Sequence, residues 1–396
     1  MSGICFPVPS FMLLSRLLRC SSLHVFVTTL GTIAVYAQDS NTSRIRDILE
    51  GLGDPNEPGI AVLVRKGGKT VAELARGVRD LRSHIPVDSQ TNFRLASCTK
   101  QFTAMAVMLL VHDGKLRYEE RLGEVFPEFP SYGNAITIRN LLNHTSGLPD
   151  YEELMDKASA GGAQRWTESH QINDSQVLSL LEKEKTGRFP PGTRWSYSNS
   201  GYVVLGLIVG KVSRQPFPEF LRERIFTPLK MDNTVAYVKG ENEVPDRAYG
   251  HSLENGKIVE TDQRSTSATL GDGGIYSSLE DLAKWDEALS RHTLLSEADM
   301  QAALTPLHLP DGSLPHWNSY PEDADPLSGK PVSYGWGWFL DPYNGHPRMW
   351  HYGETVGFRS AIQRFTKDNL TVIILTNRSD LDAISLSTRV ADLFLK

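Results

Sequence analysis

Between Gln101 and His112 almost every position is apolar: Phe102, Ala104, Met105, Ala106, Val107, Met108, Leu109, Leu110 and Val111 stand nearly side by side, and the run stops at Asp113-Gly114. A segment apolar on all sides predicts a helix buried all round and closed by a glycine. Only a large core encloses such a helix, and 396 residues supply one, in one big domain or two lobes. Aromatic residues at 9% exclude a disordered chain, and 41 basic against 47 acidic residues, a net charge of −6, exclude a nucleic-acid binder of the usual kind.

Two stretches of different texture flank this region. From about Ser43 to Leu52 the chain reads as helix, and Gly59 to Arg65 and Thr70 to Val78 read as strands of a hairpin around Gly67-Gly68. The tail returns to strands at Gly335–Leu340, Met349–Tyr352, Gly357–Phe365 and Thr371–Leu375, and closes with a helix from Leu381 to Leu395. Between them lie further candidate helices at Ile136–Asn143, Asn173–Lys185, Gly201–Val212 and Pro218–Ile225. A capping-box start at Ser277 or Ser278 opens another at Leu279–Leu289. The fold class is therefore α/β (α+β): a largely antiparallel sheet built from both ends of the chain (about 45–94 and 330–396), flanked by helices, with a mainly helical lobe inserted at about 95–290. Leu307 to Pro331 reads as an exposed loop.

Residues 1–37 carry Arg16 and Arg19, no acidic residue, and an apolar run from Leu23 to Val35 that leads into Val35-Tyr36-Ala37. That is the pattern of a signal peptide cut after Ala37. The run is short for a span of roughly 20 residues and holds Thr28, Thr29 and Thr32, so export to the periplasm or medium is expected, with no stable membrane insertion. Of Cys5, Cys20 and Cys98 only Cys98 would remain. No internal disulfide is expected, and stability has to come from the core.

The chain has no Gly-x-Ser-x-Gly elbow, phosphate loop, His-Glu-x-x-His or metal-spaced Cys/His cluster. It has a single Ser-x-x-Lys, Ser97-Cys98-Thr99-Lys100, at the head of the buried helix. A spacing of three puts hydroxyl and amine about one turn apart on one face, and the helix start adds free N–H groups where an oxyanion would form. Elsewhere the same four residues would read as a capping serine and a solvated lysine; ahead of a wholly apolar helix, solvation is harder. A lysine at its reference pKa of about 10.4 is a poor base at neutral pH, so a second group is needed. Tyr197-Ser198-Asn199, between the rigid Pro190-Pro191-Gly192 turn and a helix, is the candidate. Tyr132-Gly133-Asn134 has the same spacing without those flanks.

His351-Tyr352-Gly353 follows on a predicted strand. Three further segments accompany these motifs: Leu141-Leu142-Asn143-His144-Thr145-Ser146-Gly147-Leu148, Gly271-Asp272-Gly273-Gly274 and Tyr334-Gly335-Trp336-Gly337-Trp338. In this order they make the chain, from about Ile45 to its end, resemble the class C β-lactamase superfamily, which includes penicillin-binding carboxypeptidases, serine esterases and D-aminopeptidases. The resemblance implies a β-lactamase/transpeptidase-like fold over residues 38–396 and an acyl-enzyme on Ser97. Lys100 and Tyr197 would shuttle its proton in an order the sequence leaves open. Asn199 would bind the substrate amide, and the N–H groups of Ser97 and Glu354, the residue after Gly353, would form the oxyanion hole.

His351, which the resemblance counts with Asn199, Gly353 and Glu354 among the substrate-binding residues, stands where β-lactamases carry a lysine that helps hold the substrate carboxylate. A histidine with a reference pKa of about 6.5 is mostly neutral at pH 7, so efficient β-lactam hydrolysis is not expected. Arg359 is either a substitute charge or a surface strand residue; Trp336, Trp338, Trp350 and Tyr352 either line a cleft or pack a core; His144 reads as a structural turn residue. The expected partner is a small-molecule or short-peptide substrate, an ester, D-amino-acid amide or peptidoglycan-type peptide, with no metal or organic cofactor and no nucleic acid. A binder that keeps the fold without turnover, or a true β-lactamase, are the alternatives.

Overall fold

The computed structural model describes residues 40–162, 165–317 and 329–396; the expected leader, 1–37, lies outside the described residues, as does part of the 307–331 loop. In chain order the strands are β1 (Ile60–Lys66), β2 (Lys69–Arg76), β3 (Phe93–Arg94), β4 (Val235–Ala236), β5 (His251–Glu254), β6 (Lys257–Glu260), β7 (Ile275–Ser277), β8 (Arg348–Thr355), β9 (Phe358–Phe365) and β10 (Leu370–Thr376). Gly67 and Gly68, at φ 59° and 76°, make the hairpin turn that the β1–β2 pair requires. β1 then pairs antiparallel with β10, Ile60 opposite Thr376 through Lys66 opposite Leu370. The two ends of the chain thus share one antiparallel sheet of order β2-β1-β10-β9-β8, as the sequence predicts.

Alternation along β1 and β10 splits the core into two layers. On one face Val62, Val64, Val372 and Ile374 pack against Ile45 and Leu49 of a helix at residues 40–50 and Leu386 and Val390 of the helix Ala383–Ala391. On the other, Ala61, Leu63, Ile373 and Leu375 belong to the large cluster that includes Phe102 through Leu110. The Lys100–His112 helix is buried at every residue from Lys100 to Leu110, as its composition demands.

Helices form at Ile138–Leu142, Asp174–Leu181, Asn199–Ser213 and Phe217–Leu221, close to expectation, and at Leu279–Ser290, where the Ser278 hydroxyl accepts from the Asp281 N–H. The helix Tyr151–Ala160, capped by the Asp150 carboxylate, is an addition. The inserted region is also less purely helical than expected. It holds β4 and β7, which complete a small sheet of order β3-β7-β4 with the strand just before it, and the β5–β6 hairpin. Gly335–Leu340 does not form the expected strand and contributes only bridges from Tyr334 to Phe339 and from Phe339 to Trp350. Gly337, at φ 76°, turns the backbone there. Among the described residues no helix is long and apolar enough to cross a membrane.

Candidate active site

Ser97 sits in a short 3-10 helix, Ala96–Thr99, that runs directly into the buried helix at Lys100. Its hydroxyl lies 3.0 Å from the Lys100 Nζ. The amine, wholly buried, also donates to Asn199 Oδ1 at 2.8 Å and to the Asp272 carbonyl at 3.0 Å. Burial, opposed by the Asp272 carboxylate, lowers its pKa from 10.5 to about 8. Two of its three partners, an amide oxygen and a backbone carbonyl, accept but cannot donate. Once the amine is neutral, its two hydrogens go to them and its lone pair is left for the Ser97 O–H.

Tyr197 closes the group from the other side. The Lys100 Nζ stands 4.9 Å above its ring, and its phenol lies beside the Ser97 hydroxyl. Burial raises the phenol pKa well above 10 against that contact, so the group stays protonated at neutral pH. Asn199 is the first residue of the Asn199–Ser213 helix, whose capping Ser198 hydroxyl accepts from the Gly201 N–H at 3.0 Å. Tyr132, of the second matching triplet, instead donates its hydroxyl to the Leu181 carbonyl, in a structural contact.

The edge strand β8 forms the opposite wall. Trp350 pairs through both its N–H and its C=O with Phe339, outside the sheet. In an antiparallel ladder outward-facing residues alternate, so the Glu354 N–H also points out from this edge. Gly353 lets the strand come close. A methyl group on it would clash with the Leu95 carbonyl and lie 3.0 Å from the Ser97 nitrogen. Ser97, Asn199, Asp272 and Glu354, with Arg94 and Tyr151, line a small open cleft. Gly353→Ala is expected to cost about 1–3 kcal/mol by overpacking and to open this wall, lowering both the melting temperature and the rate of covalent labelling at Ser97. Wild-type values for both would show that the close approach is dispensable.

The expected role of His351 needs correction. Alternation puts Met349, His351 and Gly353 on the inner face of β8, and the His351 side chain is fully buried. Its Nδ1 meets the Tyr352 carbonyl at 2.7 Å, and its ring lies 6.2 Å from that of Tyr197. Burial lowers its pKa to about 3, so it is a neutral group behind the site with no face open to a substrate. The Arg359 guanidinium is held at the β8–β9 turn: its Nη1 donates to the Thr355 and Phe358 carbonyls, and its Nε lies 3.9 Å from the Glu354 carboxylate. Trp336 and Trp338 are core residues, while Trp350 and Tyr352 pack on a cluster with Trp195, Trp317, Tyr334 and Phe339. The Asp272 contact was not foreseen. It runs through a backbone carbonyl, and the only signal for it is the glycine-rich setting Gly271-Asp272-Gly273-Gly274.

Residues 45–394 match the family model described as Beta-lactamase. Penicillin-binding protein 4* of Bacillus subtilis (strain 168) is 29% identical over 358 residues, spanning 87% of this chain and 73% of that protein. A D-aminopeptidase of Cereibacter sphaeroides (strain ATCC 17029 / ATH 2.4.9) is 27% identical over 321 residues, 81% of this chain and 57% of that one. The solved D-amino acid amidase from Ochrobactrum anthropi SV3, complexed with L-phenylalanine, shares the fold with a TM-score of 0.71 over 90% of this chain and 98% of that one, at 21% identity.

Proposed function

The chain belongs to the β-lactamase family of serine hydrolases, and from that premise we propose that it cleaves an ester, a D-amino-acid amide or a peptidoglycan-type peptide through an acyl-enzyme on Ser97. The observation that carries the reading is the lysine's hydrogen-bond set: Asn199 and the Asp272 carbonyl take the amine's hydrogens and leave its lone pair facing Ser97. In the first step Lys100 takes the Ser97 proton as the oxygen bonds to the substrate carbonyl carbon. The N–H groups of Ser97 and Glu354 hold the resulting oxyanion. Collapse breaks the bond to the leaving group, which receives a proton through the Tyr197 phenol. A water then attacks the acyl carbon, gives its proton back along the same path and frees Ser97. The D-aminopeptidase among the relatives supports the amide substrates. The reading includes export after cleavage near Ala37, on the leader-like pattern of residues 1–37.

Treatment with a fluorophosphonate followed by intact-mass and peptide mapping tests the mechanism. One adduct on Ser97 is expected; a folded protein that neither labels nor turns over esters would leave a binding protein as the better description.

Substrate choice follows from the neutral histidine at position 351. A charge-assisted hydrogen bond to a carboxylate is worth about 1.5–3 kcal/mol, or roughly ten- to a hundredfold in specificity. His351 is neutral and buried and the Arg359 Nη1 is held by the β8–β9 turn, so neither offers an anionic β-lactam a bond of this kind. Nitrophenyl acetate and a D-alanine anilide are therefore expected to exceed a chromogenic cephalosporin in kcat/KM. Preference for the cephalosporin would refute this.

A further inference from the structure

His144 does not line the cleft, yet it touches each residue that leads into Asn199. We propose that His144 is a positioning residue that clamps Ser196 to Ser198 and so aims Tyr197 and Asn199 at Ser97 and Lys100; this rests on the reading above, that Tyr197 and Asn199 serve Ser97. Its backbone adopts the left-handed conformation, φ 62°, which turns carbonyl and ring toward the same segment. The His144 carbonyl accepts the Ser196 N–H at 2.9 Å. Its ring lies against that of Tyr197, centroids 4.4 Å apart and planes 35° from parallel. Its Nδ1 accepts the Ser198 N–H at 3.1 Å. Three successive residues are thus fixed by one side chain and its carbonyl. Ser198 in turn caps the helix that Asn199 opens.

The contacts also fix the imidazole's state. Since Nδ1 accepts, the ring proton sits on Nε2, a buried atom with no partner among the described residues. A second proton would remove the acceptor for Ser198. It would also place a cation close to Lys100 and His351, inside a wall formed by Tyr197, Tyr202, Tyr334 and Trp195. Burial and those two neighbours hold the group well below its ordinary pKa. His144 is therefore a fixed acceptor and stacking surface, with no part in proton transfer.

Two variants separate this role from simple packing. His144→Phe keeps an aromatic ring and removes the acceptor. His144→Asn places an amide oxygen near the position of Nδ1, and asparagine tolerates the left-handed backbone. With nitrophenyl acetate, His144→Phe is expected to lose about 10- to 100-fold in kcat, the scale of misplacing a reacting group by an ångström, with KM changed less than about threefold. His144→Asn should recover most of that loss, and both should label at Ser97, the Phe variant more slowly.

Wild-type kcat in His144→Phe, or an Asn variant that folds and is as slow as the Phe variant, would overturn the clamp. If the Phe variant does not fold, the Asn variant decides alone: near-wild-type kcat supports the clamp, and a loss above tenfold refutes it. Failure of the underlying reading looks different, since wild-type hydrolysis would then survive Ser97→Ala.

Discussion

Ser97→Ala is expected to lower ester hydrolysis by a factor on the order of 10⁴ or more, the scale on which loss of a catalytic nucleophile is felt, with the fold intact. The hydroxyl makes no helix-capping contact; it pairs with the Lys100 amine, which keeps Asn199 and the Asp272 carbonyl. The loss should therefore fall on chemistry. Initial rates with nitrophenyl acetate, covalent labelling and a thermal melt measure the three quantities together. The rival nucleophile is Cys98. It is wholly enclosed, its sulfur lies 3.4 Å from both the His351 carbonyl and the Ser360 hydroxyl, and burial pushes its pKa up to about 12. A thiol that stays protonated and unreachable is inert. Labelling that persists in Ser97→Ala and vanishes in Cys98→Ala would reverse the assignment.

What the sequence discloses follows from the range of each interaction. The helix after Lys100 is legible because its environment is written into its composition: a segment apolar on every side has no face to offer water. Ser97 and Lys100 are legible for a local reason, since three residues of helix bring them together wherever the rest of the chain goes. The meeting of β1 with β10 is readable as a class of fold, because strand-like runs occupy both ends, but its register is not. The short strands β3, β4 and β7 are two or three residues long and carry no period. The β5–β6 hairpin does announce itself, through Asn255-Gly256, both at positive φ, at its turn.

Orientation on β8 is less legible. Met349, Trp350, His351 and Tyr352 are all large and largely apolar, so no alternation tells the inner face from the outer, and His351 is as plausible over the cleft as behind it. The Asp272 and His144 contacts lie deeper still. One uses a carbonyl that every residue has, and the other depends on a left-handed turn that a histidine in sequence does not signal.

Lys100→Met should separate catalysis from stability, because the same burial that makes the lysine usable as a base makes its charge costly. If Lys100 receives the Ser97 proton, the wild-type rate rises with pH through about 8, the lowered value of the buried amine, and the Met variant loses on the order of 10³ in rate or more at every pH. The stability consequence has a definite sign. The folded pKa lies below the unfolded value of about 10.4, so between the two the unfolded chain binds more protons and wild-type stability rises with pH. Below pH 8 the full cost of holding the ammonium is present, roughly 3 kcal/mol for a shift of this size. Methionine never bears that cost. It does leave the Asn199 and Asp272 oxygens without a donor, a penalty that does not change with pH. The difference in unfolding free energy between variant and wild type should therefore move by about 3 kcal/mol in favour of the wild type as pH rises from 7 to 10.5. Urea titrations at several pH values measure it. A constant difference would mean that the lysine titrates alike in the folded and unfolded chain, and that another group must be poised to take the proton of Ser97.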